Sequence, residues 1–176
     1  MSDRPKLIVF SGLPGVGKST LAERVARKFQ AVWLRVDVLE ASMLQAGLPH
    51  SFETGLAAYL GCHDVAREQL RLGRNVVVDA VNGVEPPRRM WRELSDESPA
   101  DRSTIHVICS DLAEHRRRVE SRAPPTPPLP APTWEETAHR EFEPWTEPVL
   151  VVDTTRPIEE IVNQIGEYVR HGSRPA

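Results

Sequence analysis

Nine residues, GLPGVGKST from Gly12 to Thr20, combine three glycines with a lysine and two adjacent hydroxyl side chains. That set suits the wrapping of phosphate oxygens. Gly12, Gly15 and Gly17 leave room for main-chain amides to turn inward, and a helix starting where the stretch ends adds its positive end to the attraction for an anion. Lys18 is then placed to lie against β- and γ-phosphates, and the Ser19 hydroxyl to ligate Mg²⁺. The expected contact set is Gly12, Leu13, Gly15, Val16, Gly17, Lys18, Ser19 and Thr20; Pro14 has no amide to donate. GLPGVGKS fits GxxxxGK[ST], a pattern that chance produces in about one chain of this length in a hundred or fewer. Its weight depends on a strand before it and a helix after it.

Two aspartates follow apolar runs, Asp37 after AVWLRV and Asp79 after NVVV. In an open parallel sheet, ligands gather at the carboxyl ends of strands, so both carboxylates are candidates for the same site. Asp79, preceded by three valines, has the form of an acid that holds Mg²⁺ through water. Asp37 is suited to accept the proton of an acceptor hydroxyl as it attacks a γ-phosphate. For each, the competing role is that of an N-cap on the next helix. A basic run, His115 to Arg118 with Arg122, precedes ten residues of which six are proline, Ala123 to Pro132. Arg118 and Arg122 share a helix face, and arginines on a hinged segment can neutralise charge on a transferring phosphoryl group while water is excluded. Arg116 and Arg117 fit a solvated face better.

The elements that must position these residues follow from periodicity and punctuation. Short apolar runs at Leu7–Phe10, Ala31–Val36, Asn75–Val78, Thr104–Cys109 and Pro148–Val152 read as strands. Helical spacing follows the glycine stretch and covers 38–46, 53–72, 88–94, a segment capped by Asp111, and a closing helix with Pro157 in its first turn. Thr133 and Glu136 form a capping box. Trp134, Phe142 and Trp145 are expected to serve packing. Five strands alternating with helices predict an α/β fold with an open parallel sheet and helices on both faces.

With GLPGVGKST, RVD, VVVDAVN, the RRRVESR helix and DTTRP in view, the whole chain resembles the P-loop small-molecule kinases. That group includes gluconate kinase, shikimate kinase, chloramphenicol phosphotransferase and the kinase domain of polynucleotide kinase, with zeta toxins more distant. The resemblance implies a P-loop NTPase fold with strand order 2-3-1-4-5, ATP with Mg²⁺ as donor, and a lid segment at about 115–140. It also implies adenine packing at Arg156 and Pro157 and an acceptor-site arginine at Arg88. Asn82 and His63, with Tyr59, Glu53 and Trp33, are further candidates for the acceptor pocket. One departure stands out: relatives often carry an arginine three residues after the strand-two aspartate, where this chain has Glu40.

The bulk properties bound the reading. The chain has 176 residues, 40% of them hydrophobic, enough for one ordinary core and so for a single domain over 1–176. A net charge of -3 and a pI of about 6.1 argue against a long nucleic acid as partner. Cys62 and Cys109 lack metal or redox spacing, and no run has the length of a signal peptide core or a membrane span, which together point to a cytoplasmic protein. The expected activity is transfer of a γ-phosphate from ATP to a hydroxyl of a small polar metabolite, nucleoside or antibiotic. A polynucleotide 5′-hydroxyl kinase and a non-kinase ATP-dependent switch are the alternatives; no NKxD-type guanine motif is present. Nothing in the sequence specifies an oligomeric state.

Overall fold

A computed structural model describes residues 4–121 and 128–171. The chain runs β1 (Lys6–Ser11), α1 (Lys18–Lys28), β2 (Val32–Arg35), α2 (Val36–Gln45), α3 (Phe52–Arg71), β3 (Val76–Asp79), α4 (Glu85–Glu97) and β4 (Asp101–Ile108). It continues α5 (Leu112–Ser121), α6 (Trp134–Ala138), β5 (Leu150–Asp153) and α7 (Ile158–His171). The five strands form one parallel sheet in the order β2-β3-β1-β4-β5, the order the resemblance implies.

Alternation along β1 explains the layering. Ile8 and Phe10 face one side, where Leu21, Val25, Ile161 and Ile165 from α1 and α7 cover them. Leu7 and Val9 face the other, against Ala58, Cys62, Trp91 and Leu94 from α3 and α4. A strand buried on both faces reads as a continuous apolar run, which is why KLIVF gives no period-two signal in the sequence.

Three boundaries differ from expectation for local reasons. The second helix starts at Val36, directly after β2, so Asp37 sits in its first turn rather than in a connecting loop. The fourth helix starts at Glu85 instead of Arg88, because Pro86 and Pro87 occupy first-turn positions whose amides have no intrahelical partner in any case. The fourth strand begins at Asp101, extended towards its start by pairing with the full length of β1. The Thr133–Glu136 capping box forms as expected, with Glu136 N donating to Thr133 Oγ1 at 3.2 Å and Thr133 N to Glu136 Oε2 at 2.7 Å. Asp111 likewise accepts from Glu114 N, at 3.0 Å. No helix among the described residues is long and apolar enough to cross a membrane.

Candidate functional site

The glycine stretch leaves the carboxyl end of β1 and enters α1, with Gly17 immediately before the helix. Neighbouring elements fix its path. Gly12 N and Ser11 Oγ both donate to Val81 O, at 3.1 and 2.9 Å, tying the loop to the end of β3. A Cβ on Gly12 would lie 2.3 Å from Val107 O, so only glycine lets the loop approach β4 this closely. At Gly15, φ is +80° and a Cβ would meet Val119 of α5 at 2.5 Å. His115 Nε2, also on α5, donates to Pro14 O at 2.8 Å, and Trp134 packs edge-on against the His115 ring. Thr154, beyond β5, donates its hydroxyl to Val16 O at 2.8 Å. The loop is therefore tied from outside to the ends of β3, β4 and β5 and to α5, which fixes its path without a ligand. Leu13 O accepts from Lys18 Nζ at 3.0 Å, and Lys18 itself is nearly buried in the first turn of α1. Thr20 is exposed.

Asp79 closes the inner side of this loop. It is 5% exposed, and its Oδ2 accepts no hydrogen bond among the described residues. Arg35, the last residue of β2, lies opposite it in register, with Nε 3.6 Å from Oδ2. Burial raises the Asp79 carboxyl above the ordinary carboxylate range, while the Lys18 charge and a hydrogen bond with Ser19 pull it back. A buried carboxylate oxygen that accepts no hydrogen bond among the described residues, beside a serine hydroxyl, is a donor set of hard oxygens and suits Mg²⁺ completed by phosphate and water, with Arg35 as its other neighbour. Asp37 is half-buried, and its charge acts on Asp79, Glu40, Tyr59 and Cys62. It thus faces the ground between the glycine loop and the α2–α3 pair. Burial pushes the Tyr59 hydroxyl up to about 12, which keeps it protonated at neutral pH.

Of two cavities, one borders the glycine loop directly, and the other adjoins it through Val81, whose carbonyl accepts from Gly12 N. One, of about 310 Å³, lies over the β5 side and is lined by Gly17, Thr20, Leu21, Arg118, Thr154, Arg156, Ile158 and Ile161. Arg118 donates to Thr154 Oγ1 at 2.8 Å and to Glu114 at 2.7 Å, so its guanidinium is anchored beside Gly17. Arg156 borders the same cavity, whereas Pro157 is an exposed helix-start residue outside it. The other cavity, of about 770 Å³, lies over the β2–β3 side between α2, α3, α4 and the residues after α6; Glu40, Tyr59, Gly83, Met90 and Arg140 are on its walls.

Some expected site residues lie elsewhere. Arg122 falls outside the described residues, as do Ala123 to Thr126 and Pro127 of the proline stretch. Asn82, expected at the acceptor, is 1% exposed with φ +47°; its amide donates to Phe10 O and its carbonyl accepts from Trp91 Nε1. Both polar ends are spent on the fold. His63 contacts Asp64, Arg67 and the Trp91 ring, away from the larger cavity. Trp33 packs with the core and carries the Arg35 guanidinium on its ring, and Glu53 is exposed. Arg116 and Arg117 form surface pairs with Glu120 and Glu114.

Arg88 was expected to reach the acceptor directly, and its guanidinium is instead saturated. It donates to Asn82 O, Gly83 O, Glu143 O and Pro144 O, and it stacks 3.8 Å from the Trp145 ring centre. Glu143 N also donates to Gly83 O at 2.8 Å. Arg88 thereby clamps the chain after α6 onto the loop after β3, which brings Arg140 and Glu141 to the cavity wall. Arg88→Met should lower stability by roughly 2–4 kcal/mol, because it strands main-chain carbonyls that a cation now satisfies. Urea denaturation would measure this, and a loss below about 0.5 kcal/mol would contradict the clamp.

Arg35 and Thr154 entered the sequence reading only within RVD and DTTRP, and His115 only within the basic run before the prolines; none was expected to hold the site in shape. An arginine ending a strand otherwise made of apolar residues was the available signal for the first. The other two act through main-chain carbonyls of the glycine loop, a role no local spacing announces.

The chain matches the AAA domain family AAA_33 over residues 7–144. No curated protein matches it. Among solved structures, it is similar to the Mycobacterium tuberculosis APS kinase CysC in complex with AMPPNP and APS, with 22% identity, TM-score 0.73, and 95% of this chain and 98% of that one covered. Kti12 of Chaetomium thermophilum in complex with ADP-AlF3 shares 18% identity, TM-score 0.68, covering 93% and 98%. A gluconokinase from Sinorhizobium meliloti shares 21% identity, TM-score 0.61, covering 95% of each chain. At these identities the likeness shows a common fold, that of the P-loop NTPases.

Proposed function

The chain belongs to the AAA_33 family of AAA domains, and from that premise we propose that it is an ATP-dependent kinase acting on a hydroxyl of a small molecule. The observation that carries this reading is that, besides the cavity lined by Gly17 and Thr20 of the glycine loop itself, a second, separate cavity adjoins the loop through Val81. A nucleotide switch requires only the first; a transferase needs a second substrate within reach of the same γ-phosphate. The structural neighbours named APS kinase and gluconokinase support the reading.

In this mechanism the loop amides between Leu13 and Thr20, Pro14 excepted, and the Lys18 side chain hold the β- and γ-phosphates, while the Gly12 amide stays on Val81 O. Ile158, Ile161 and Arg156 border the cavity that would take the nucleoside. Ser19 and Asp79 would hold Mg²⁺, which supplies charge neutralisation at the phosphates. Asp37 takes the proton of the acceptor hydroxyl, and Arg118 stands over the loop to offset charge on the transferring group. Docking of the acceptor in the larger cavity displaces water that would otherwise compete for the phosphoryl group.

An ADP-release assay across hydroxylated metabolites, nucleosides and antibiotics tests the proposal. Slow release without acceptor and strong acceleration by one compound class is the expected result. Uniformly slow release across the panel, with tight ATP binding, would favour a switch. A separate expectation concerns the metal. Asp79→Asn keeps the shape and removes the charge, so the Mg²⁺ concentration for half-maximal rate should rise by about tenfold or more, given how closely Mg²⁺ affinity follows its carboxylate ligands. A Mg²⁺ titration of the variant with an unchanged midpoint would remove Asp79 from the metal site.

A further inference from the structure

The larger cavity has a chemistry of its own, and its reading rests on the kinase assignment above. We propose that the acceptor is an amine-bearing alcohol with an apolar body, held in this cavity with its cationic group against Glu40. Three observations converge on that class.

The first is the wall. Phe52 and Leu56, one turn apart on α3, border the cavity and are 80% and 44% exposed, and Val84 and Met90 line it from the other side. A phenyl side chain left this open gains most when a ligand covers it, at roughly 25 cal/mol per Å² of apolar surface. A polyhydroxylated sugar or sugar acid would leave that wall uncovered. At about 770 Å³ the cavity is within the range of sites for drug-sized molecules.

The second is charge. Glu40 and Glu141 line the cavity, and Asp37 acts on Glu40 and Tyr59 from beneath. Arg140 is the arginine that borders it, and His50, 3.6 Å from Glu40, adds charge only when protonated. An anionic acceptor would meet more carboxylates than cations here, whereas an ammonium group finds complementary potential.

The third is access. Gly55 on α3 faces Glu40: a Cβ there would sit in ordinary contact with Glu40 Oε1, at 3.7 Å, so glycine leaves that oxygen less covered on its α3 side, while His50 Nε2 stands 3.6 Å from it. Burial raises the Glu40 carboxyl although His50 and Arg140 pull it back, and a bound ammonium would add to that compensation.

The test uses three probes of one shape: 4-(hydroxymethyl)benzylamine, 1,4-benzenedimethanol and 4-(hydroxymethyl)benzoate, titrated by NMR into the full chain saturated with a non-hydrolysable ATP analogue. The amine should bind at least about tenfold more tightly than the carboxylate, equivalent to about 1.4 kcal/mol. The diol should fall between them. In Glu40→Gln the spread should shrink to within about threefold, and in Glu40→Arg the order should reverse, with melting temperature confirming that both variants fold. Equal or tighter binding of the benzoate to the unmodified chain would overturn the proposal, as would failure of all three probes to bind. A preference for the amine that survives Glu40→Gln would overturn Glu40 as its source. Because these readouts are of binding, they stand apart from the kinase reading: tight amine binding with no ADP release would count against phosphotransfer alone.

Discussion

Lys18→Ala should lower acceptor-dependent ADP release by about 10²-fold or more while the protein stays folded, the loss typical of removing one preorganised charge-stabilising donor. The structure explains why so much rests on one side chain. Lys18 opens α1, is nearly buried, and has its Nζ 3.0 Å from Leu13 O, inside the loop rather than out in solvent. Its charge also lowers the Asp79 carboxyl against the effect of burial. Removing it therefore strips the phosphate site of its cation and drives Asp79 further towards the protonated form, which binds a metal poorly. Both losses act on transfer. The fold has little reason to respond, because β1, α1 and the loop are tied by Gly12, Ser11, Val16 and Thr154. Steady-state rates with and without acceptor, together with a melting curve, decide the matter. A folded variant with normal turnover would mean that the glycine loop does not hold the transferring phosphate.

Local and long-range information divide clearly in this chain. GLPGVGKST, its preceding strand and its following helix are readable because the signal is contiguous: glycines where backbone must approach backbone, apolar residues on one helix face. The strand order was implied by the resemblance and is the order observed. Arg88 was misplaced because its partners, Glu143 to Trp145, lie more than fifty residues away, and no spacing near Arg88 announces them. Asn82 reads as an available polar residue three positions beyond Asp79. Its positive φ turns both ends of the amide into the core, and only the fold reveals that its Nδ2 donates to Phe10 O and its Oδ1 accepts from Trp91 Nε1. The larger cavity was equally invisible, since α2, α3, α4 and the chain after α6 each supply one wall. Glu40, by contrast, was noticed as a departure from a family pattern, and its place on that wall gives the departure a physical consequence.

The two aspartates allow the sharpest separation of roles. Asp37→Asn should reduce kcat by roughly 10² to 10⁴-fold with ATP affinity little changed, as expected for loss of a general base. Its position supports this division. The first turn of α2 follows β2 without a loop, which sets Asp37 two residues past the strand end and half-buried. From there its charge reaches Asp79 and also Glu40 and Tyr59, which line the larger cavity, as a proposed base between the two proposed substrate sites requires. Asp79 differs in depth and in company: it is almost wholly buried, hydrogen-bonded with Ser19, and directed at the glycine loop. An amide at position 37 preserves shape and removes the proposed proton acceptor; an amide at position 79 preserves shape and removes the proposed metal ligand. The first change should therefore be insensitive to added Mg²⁺, and the second should be partly rescued by it. Measuring kcat, the ATP dissociation constant and the Mg²⁺ midpoint for both variants distinguishes them. Rescue of Asp37→Asn by Mg²⁺, with none for Asp79→Asn, would show that the metal carboxylate and the base are exchanged.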